Sequence, residues 1–168
     1  MLVRLWGIFF LLLLGVGVGI VAFSGMGVAP VVFKSPTILS YLAMTPYDAG
    51  LLMGRIFVKA NMFLNLLAGA LFLDMLVLFA TKRLKSVPLV LVLAHILNIA
   101  FIFLFSLYYT PAILKAQARG RFYTTTKEFM ELHAQSELLF KALFVMLCFS
   151  FLYRAFTLIP KPRPKRYV

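Results

Sequence analysis

Four apolar stretches, each about 20 residues or longer, take up most of this chain of 168 residues. A stretch of that length is enough for an α-helix to cross a bilayer. The composition agrees, because 63% of the residues are hydrophobic and only 13% are charged, far from the averages of soluble domains. The sequence therefore predicts an all-α integral membrane four-helix bundle that forms a single domain over residues 1–168.

The predicted spans cover about residues 5–29, 56–80, 88–109 and 138–159. Pro30 follows the first span and is expected to end it. A secretory signal peptide is the alternative for this stretch, but its apolar region would be unusually long and its cleavage pattern poor. A retained first span is therefore expected. A short basic link, residues 81–86, joins the second and third spans into an antiparallel hairpin.

Four spans place both termini and the basic link on one side of the membrane. The Lys and Arg residues assigned to that side lie close to the span ends; they are Arg4, Lys82, Arg83, Lys85, Arg154, Lys161, Arg163, Lys165 and Arg166. The positive-inside rule then predicts cytoplasmic termini, with residues 161–168 as a basic cytoplasmic tail. The net charge of +12 suits anionic lipid headgroups as partners rather than nucleic acid.

Helix-capping patterns predict that two helices rise past the outer membrane face. Residues 45–48 (Thr-Pro-Tyr-Asp) and 125–128 (Thr-Thr-Lys-Glu) each favour a helix start before the second and fourth spans. Helices from 46 to 83 and from 126 to 159 would be about 57 and 51 Å long, against a hydrocarbon core of about 30 Å. The third helix is expected to continue past a kink at Pro111 until Gly120 ends it.

Three polar residues are expected to meet within the inner half of the bundle. In the hairpin of the second and third spans, Asp74 and His95 fall at similar depth, and Asn98 lies one turn from His95. Ionisable residues in spans usually face the interior with a partner. The cluster suits proton relay or ligand capture; the alternative is a hydrogen bond that only locks the hairpin.

A second polar group is predicted in the outer half. It consists of Asn61 and Asn65 on the second helix and a stripe at spacing four on the fourth, His133, Glu137 and Lys141. Glu137 and Lys141 can pair along their own helix. Two interpretations stay open, a polar pocket that opens outward and a self-neutralising salt bridge near the headgroups.

No cofactor and no metal is predicted. His95 and His133 lie at different depths, about 15 Å or more apart along the helical rise, too far for both to bind one haem iron. A metal on His133 and Glu137 would have only two visible protein ligands, fewer than usual. Catalytic motifs such as nucleophile elbows and phosphate-binding glycine loops are absent from the sequence, so an enzyme is not expected.

Several local patterns resemble a known family. Residues 25–33 (Gly-Met-Gly-Val-Ala-Pro-Val-Val-Phe), 49–50 (Ala-Gly) and 54–57 (Gly-Arg-Ile-Phe) are similar to the small bacterial membrane family catalogued as domain of unknown function 4149, which is related to transmembrane-protein-205-like proteins. Residues 129–136 (Phe-Met-Glu-Leu-His-Ala-Gln-Ser) resemble its late His-containing motif. The resemblance implies a four-span protein of the bacterial cytoplasmic membrane, with no established activity.

The sequence leaves two hypotheses for the function. The first is a non-enzymatic accessory or oligomeric interaction module that binds a second copy or another membrane protein, with glycine seams such as Gly15 and Gly19 as contact surfaces. The alternative is a small proton-responsive transporter or channel-like carrier. Its inner site would be Asp74, His95 and Asn98, and its outer vestibule would be lined by Asn61, Asn65, Glu137 and Lys141.

Overall fold

The computed structural model describes residues 2–81 and 88–158. Within them are four helices long and apolar enough to cross a membrane, Val3–Ile38, Pro46–Thr81, Leu89–Ala118 and Lys127–Leu158. The predicted all-α four-helix membrane bundle is confirmed. The predictions for the basic link and the basic tail fall mostly on residues 82–87 and 159–168, which lie outside the described residues.

The first and third helices each contain a π-helical segment, so we number their parts separately. The elements in chain order are α1 (Leu2–Ala22), a π segment (Phe23–Val28), α2 (Ala29–Ile38), α3 (Pro46–Thr81), α4 (Leu89–Phe103), a second π segment (Leu104–Tyr109), α5 (Thr110–Ala118) and α6 (Lys127–Leu158). At 1.5 Å per residue, α3 and α6 are about 54 and 48 Å long and exceed a hydrocarbon core of about 30 Å.

The helix starts follow the capping chemistry, with one difference. Thr45 and Asp48 cap α3 reciprocally, because the Thr45 backbone N–H and hydroxyl donate to the Asp48 carboxylate and the Asp48 N–H donates to Thr45 Oγ1. At α6 the cap is Thr126, whose Oγ1 accepts the Phe129 N–H at 3.3 Å. The predicted box starting at Thr125 is wrong by one position, and the Thr125 hydroxyl donates to the Phe122 carbonyl of the 3₁₀ turn Arg121–Thr124.

Pro30 does not end the first helix, contrary to the prediction. The helix passes through the π segment, where the Ala29 N–H donates to the Ser24 carbonyl, and continues to Ile38. The wider π turn carries the backbone past a residue that has no N–H. Pro111 follows the second π segment in the same way, and the helix then runs to Ala118. Gly120, with φ of 108°, follows the end as predicted.

The bundle consists of two copies of one helix pair. The π segments begin at Phe23 and Leu104, the segments after them at Ala29 and Thr110, and the return helices at Pro46 and Lys127, each pair 81 positions apart. Both copies run in the same order, and helix contacts close a ring of α1, α3, α4 and α6. The first two and the last two long helices therefore share one order and spacing of elements, the pattern of a parallel internal repeat.

Apolar packing fills the centre of the ring. Phe57, Phe105 and Phe140 form an aromatic cluster with ring centroids 4.7 to 5.4 Å apart. Other core residues from all four long helices surround it, including Phe10, Leu14, Leu64, Leu71, Ile102, Leu143 and Leu147. Large apolar side chains also cover the outside, where lipid would contact them; examples are Leu12, Leu66 and Leu138.

The glycines of the first helix pack differently from the expected seam. A Cβ at Gly17 would overlap the side chain of Leu67, and one at Gly15 would lie 3.3 Å from Phe151, whereas one at Gly19 would meet nothing within 4 Å. The close approach of α1 to its neighbours therefore depends on Gly15 and Gly17, and Gly19 is not part of it.

Candidate functional site

One buried carboxylate is contacted from each of the other three long helices. Asp74 Oδ1 accepts hydrogen bonds from Trp6 Nε1 on α1 and Arg154 Nη2 on α6, both at 2.8 Å, and Oδ2 lies 3.1 Å from His95 Nε2 on α4. Asp74 and His95 are fully buried and Arg154 is 6% exposed. We call these four residues the Asp74 cluster. Its charges are compensated within the bundle, as the cost of an isolated charge there requires.

The predicted pairing of Asp74 with His95 is confirmed, because antiparallel neighbours bring residues of similar depth together. The contact also assigns the imidazole tautomer. With a carboxylate oxygen as the acceptor, this contact corresponds to the tautomer in which Nε2 of His95 carries the proton and donates it. Nδ1 is then an acceptor, and it has no hydrogen-bond partner among the described residues.

A second polar layer lies one turn away. Nδ2 of Asn98 donates to the Ala94 carbonyl at 2.9 Å and to Ser150 Oγ at 2.8 Å, and lies 3.3 Å from the Met146 carbonyl oxygen. These bonds join α4 to α6, and Asn98 and Ser150 are both fully buried. Ser150 precedes Arg154 by one turn of α6, as His95 precedes Asn98 on α4, so the two polar layers lie about one helical turn apart.

Sequence reasoning misassigned Arg154 and overlooked Trp6. Arg154 was predicted to be a basic residue at a cytoplasmic span end, and that is wrong: its guanidinium lies in the bundle on Asp74 and 5.7 Å above the ring of Phe10. A signal was present, because Arg154 lies within the apolar stretch Leu138–Ile159 rather than beside it. Nothing in the local sequence marked Trp6 as a donor to a residue 68 positions away.

The predicted outer group does not form one site. Asn61 Nδ2 donates to Thr110 Oγ1 at 2.9 Å, and Ser106 Oγ donates to Asn65 Oδ1 at 2.8 Å, so both asparagines bind the π-containing third helix. Glu137 and Lys141 pair at 2.7 Å as predicted, yet their side chains are 58% and 70% exposed on the surface. His133 is half-buried and stacks on Phe129 of its own helix. Among the described residues, no side-chain hydrogen bond or salt bridge joins the two asparagines to His133, Glu137 or Lys141.

Two further polar contacts fix the end of the bundle at which α3 begins. The Tyr47 hydroxyl donates to the Gln117 carbonyl at 2.7 Å, and Gln117 Nε2 donates to the Gly50 carbonyl at 3.0 Å. A Cβ at Gly54 would lie 3.0 Å from Gln117 Oε1. Gly50 and Gly54 therefore make room for Gln117 within a continuous α3, a role that sequence reasoning missed.

Two open grooves formed by described residues lie on the outside of the bundle. A groove of about 510 Å³ between α1 and α6 is lined by Ile8, Leu11, Leu12, Gly15, Val16 and Phe151. One of about 420 Å³ on α3 is lined by Asp48, Leu51, Leu52 and Arg55. Neither pocket includes a residue of the Asp74 cluster. Residues 2–81 and 88–158 contain no group of three or more His, Cys, Asp or Glu side chains placed to hold a metal.

Comparison with known proteins identifies the family. The family described as Domain of unknown function (DUF4149) matches residues 12–121. The matched region contains Asp74, His95 and Asn98; Trp6 and Arg154 lie outside it, as do residues 129–136. No curated protein and no solved structure matches the chain. The match covers well over half of the sequence, and the chain therefore belongs to the DUF4149 family.

Proposed function

We propose that this protein is a non-enzymatic accessory protein of the bacterial cytoplasmic membrane, which acts by binding a second copy or another membrane protein within the bilayer. The observation that carries the proposal is the Asp74 cluster. Its carboxylate is the common acceptor for donors on the other three long helices, so the charged groups of the core hold the bundle together.

The surface supplies the contacts that such a role needs. The groove between α1 and α6 is apolar and faces outward, and Gly15 within it lets another helix approach closely. Lipid and protein side chains are equally apolar, so shape complementarity rather than hydrophobicity would select the partner. The basic residues near the span ends suit anionic lipid headgroups around the complex.

Water access to the core tests the structural role of the Asp74 cluster. Single cysteines replace the buried small residues Ser150 and Ala94 in a Cys148→Ala background, and Thr125→Cys, in an exposed turn, is the positive control. The purified protein in liposomes of bacterial polar lipids is treated with a charged thiol reagent. We expect labelling at position 125 only. Labelling at position 150 as fast as at 125 would mean a water-filled path and overturn the proposal.

Cross-linking tests the interaction itself. A cysteine at Leu12, in the α1/α6 groove, is compared with one at Leu66, which is 72% exposed on another helix. Oxidation in native membranes is expected to give one discrete cross-linked species through position 12 and none through position 66. Identical smears or no product at both positions would contradict a specific contact through this groove.

A second candidate, a proton-responsive carrier, is favoured by three unpartnered polar atoms. His95 Nδ1, Asn98 Oδ1 and Arg154 Nε are buried and have no hydrogen-bond partner among the described residues. They lie between the two helix pairs, which repeat in the same orientation. Carriers built from such repeats bind their substrates at this interface. The carrier predicts pH-dependent solute uptake into liposomes that Asp74→Asn abolishes while the protein stays folded. Uptake that is unchanged in this variant removes the candidate.

We also propose that both termini lie in the cytoplasm. The support is the excess of Lys and Arg residues close to the span ends on the side of the termini. Arg154 is buried and no longer counts among them, so this excess over the other side is smaller than the sequence alone suggests. Protease protection of terminal epitope tags in sealed inside-out vesicles tests this orientation. Cleavage of both tags is expected. Protection of both tags would mean the opposite orientation and contradict the proposal.

A further inference from the structure

The groove between α1 and α6 has a basic residue beyond one of its ends. The residues of its α1 wall recur at each helical turn, and Arg4 continues the same face one turn before Ile8. Arg4 is exposed and lies in the first turn of α1. From Arg4 to Gly15 the helix rises about 16 Å, close to half of a hydrocarbon core of about 30 Å. Arg4 and the groove therefore extend together from the headgroup layer to about the middle of the bilayer.

No acidic side chain of the protein is placed to neutralise Arg4. The chain has five acidic residues. One of them, Asp74, is buried and already accepts hydrogen bonds from Trp6 and Arg154. The start of α1 packs beside the end of α6, where Leu158 approaches Gly7. The other four acidic residues lie in the first halves of α3 and α6, toward the opposite end of the bundle; they are Asp48, Glu128, Glu131 and Glu137.

We propose that the groove between α1 and α6 binds one anionic phospholipid. Its phosphate contacts the guanidinium of Arg4, which can donate two parallel hydrogen bonds to it. One acyl chain lies along the apolar wall formed by Ile8, Leu11 and Phe151, in the space that Gly15 leaves free. The unneutralised charge of Arg4 selects an anionic headgroup over a neutral one.

The setting and the length of the groove both fit a lipid. The groove faces outward, where acyl chains are the surrounding solvent. Together with Arg4 it covers about the depth of one leaflet, which is the reach of one acyl chain. The lipid binds the isolated protein, so this inference goes beyond the proposed function. A partner helix in the same groove would have to displace the lipid, and only this last step rests on the proposed function.

Native mass spectrometry of the purified full-length protein counts the bound lipids. The protein in dodecyl maltoside is titrated with phosphatidylglycerol and, separately, with phosphatidylcholine that has the same acyl chains. We expect the first phosphatidylglycerol to bind more tightly than the first phosphatidylcholine. A basic residue near the membrane surface strengthens the binding of an anionic lipid about fivefold. Equal affinity of the original protein for the two lipids overturns the proposal.

Two variants that remove the same charge test the headgroup contact. In Arg4→Gln we expect the affinity for the first phosphatidylglycerol to fall about fivefold and the affinity for phosphatidylcholine to stay the same. Lys34→Gln is the matched control, because Lys34 is exposed near the other end of the same long helix. We expect no change in this variant. An equal loss in both variants would mean a general charge effect and contradict the assigned role of Arg4.

A second pair of variants tests the groove itself. Gly15→Leu fills it, whereas Gly19→Leu adds the same side chain outside it, where a Cβ meets nothing within 4 Å. We expect the tightly bound phosphatidylglycerol to be lost in the first variant and kept in the second. If Gly15→Leu does not fold, Leu12→Trp fills the groove from its exposed edge. Binding that is unchanged in the filled groove overturns the proposal.

The double variant shows whether headgroup and acyl chain belong to one lipid. Arg4→Gln combined with Gly15→Leu should lose no more than Gly15→Leu alone, because both changes act on the same bound molecule. Additive losses would mean two separate lipids and contradict the proposal. These titrations contain no partner protein, so their failure leaves the cross-linking prediction at Leu12 unaffected. A missing cross-link at Leu12, in turn, contradicts the proposed partner contact and leaves lipid binding unaffected.

Discussion

Removing the charge of Asp74 is expected to destabilise the protein more than removing Arg154, and removing both is expected to restore most of the loss. Asp74→Asn keeps the shape of the side chain, but the guanidinium of Arg154 stays charged and buried without a counterion. Breaking a buried ion pair in this way costs about 3–5 kcal/mol. Arg154→Met leaves a carboxylate that Trp6 and His95 still donate to, so about 2–3 kcal/mol is expected.

The double variant decides between an ion pair and two independent packing effects. With both charges gone, no uncompensated charge remains in the bundle, and we expect a stability within about 1–2 kcal/mol of the original protein. The single costs then exceed the double cost by at least about 3 kcal/mol in total. The assay is equilibrium unfolding in mixed micelles of dodecyl maltoside and dodecyl sulfate, followed by circular dichroism.

The exposed pair of Glu137 and Lys141 provides the matched control. The same double cycle with Glu137→Gln and Lys141→Met, whose side chains are 58% and 70% exposed in the original protein, should give a coupling of no more than about 0.5 kcal/mol. Additive costs in the Asp74 and Arg154 cycle, or an Arg154→Met variant less stable than Asp74→Asn, would refute the reasoning.

Three further changes test other contacts. Trp6→Phe keeps an aromatic ring beside Phe10 and removes the donor to Asp74, so a loss of about 1.5–3 kcal/mol is expected in the same unfolding assay, and no loss would contradict the bond. Gly17→Leu should cost about 1–3 kcal/mol and Gly19→Leu less than about 0.5, because only the first Cβ meets a neighbour; equal costs would show that the close approach is absent. Thr45→Ala should cost about 1 kcal/mol and speed amide hydrogen exchange in the first turn of α3, and unchanged exchange would count against the cap.

The parts of the fold that could be predicted are those set by local sequence or by hairpin geometry. Asp74 and His95 were paired correctly because an antiparallel hairpin fixes which residues share a depth. Glu137 and Lys141 pair within one helical turn, so spacing alone was enough. The helix starts at Thr45 and near Thr126 followed from capping residues, with an error of one position at the second.

The contacts that could not be predicted depend on how the helices rotate against one another. Arg154 reaches Asp74 across the bundle, and no periodicity in the sequence specifies which residues of two diagonal helices meet. The predicted first span ends before Pro30, because an ordinary α-helix does not accommodate proline easily. The preceding π segment removes that conflict. No residue type in the sequence indicates a π turn. The bond of Asn61 to Thr110, next to the second π segment, could not be predicted for the same reason, the lack of a sequence signal for a π turn.

The side-chain hydrogen bonds are unevenly distributed over the seams of the bundle. The Asp74 cluster joins α1 to α3, Asn98 joins α4 to α6, and Gln117 joins α3 to α5. Among residues 2–81 and 88–158, no side-chain hydrogen bond joins α1 directly to α6. Apolar packing against a neighbouring helix has little advantage over packing against lipid, because lipid tails are equally apolar. The seam between α1 and α6, which carries the outward groove, is therefore held by close packing and by Arg154 above the ring of Phe10, whereas separating the other seams would also break buried hydrogen bonds.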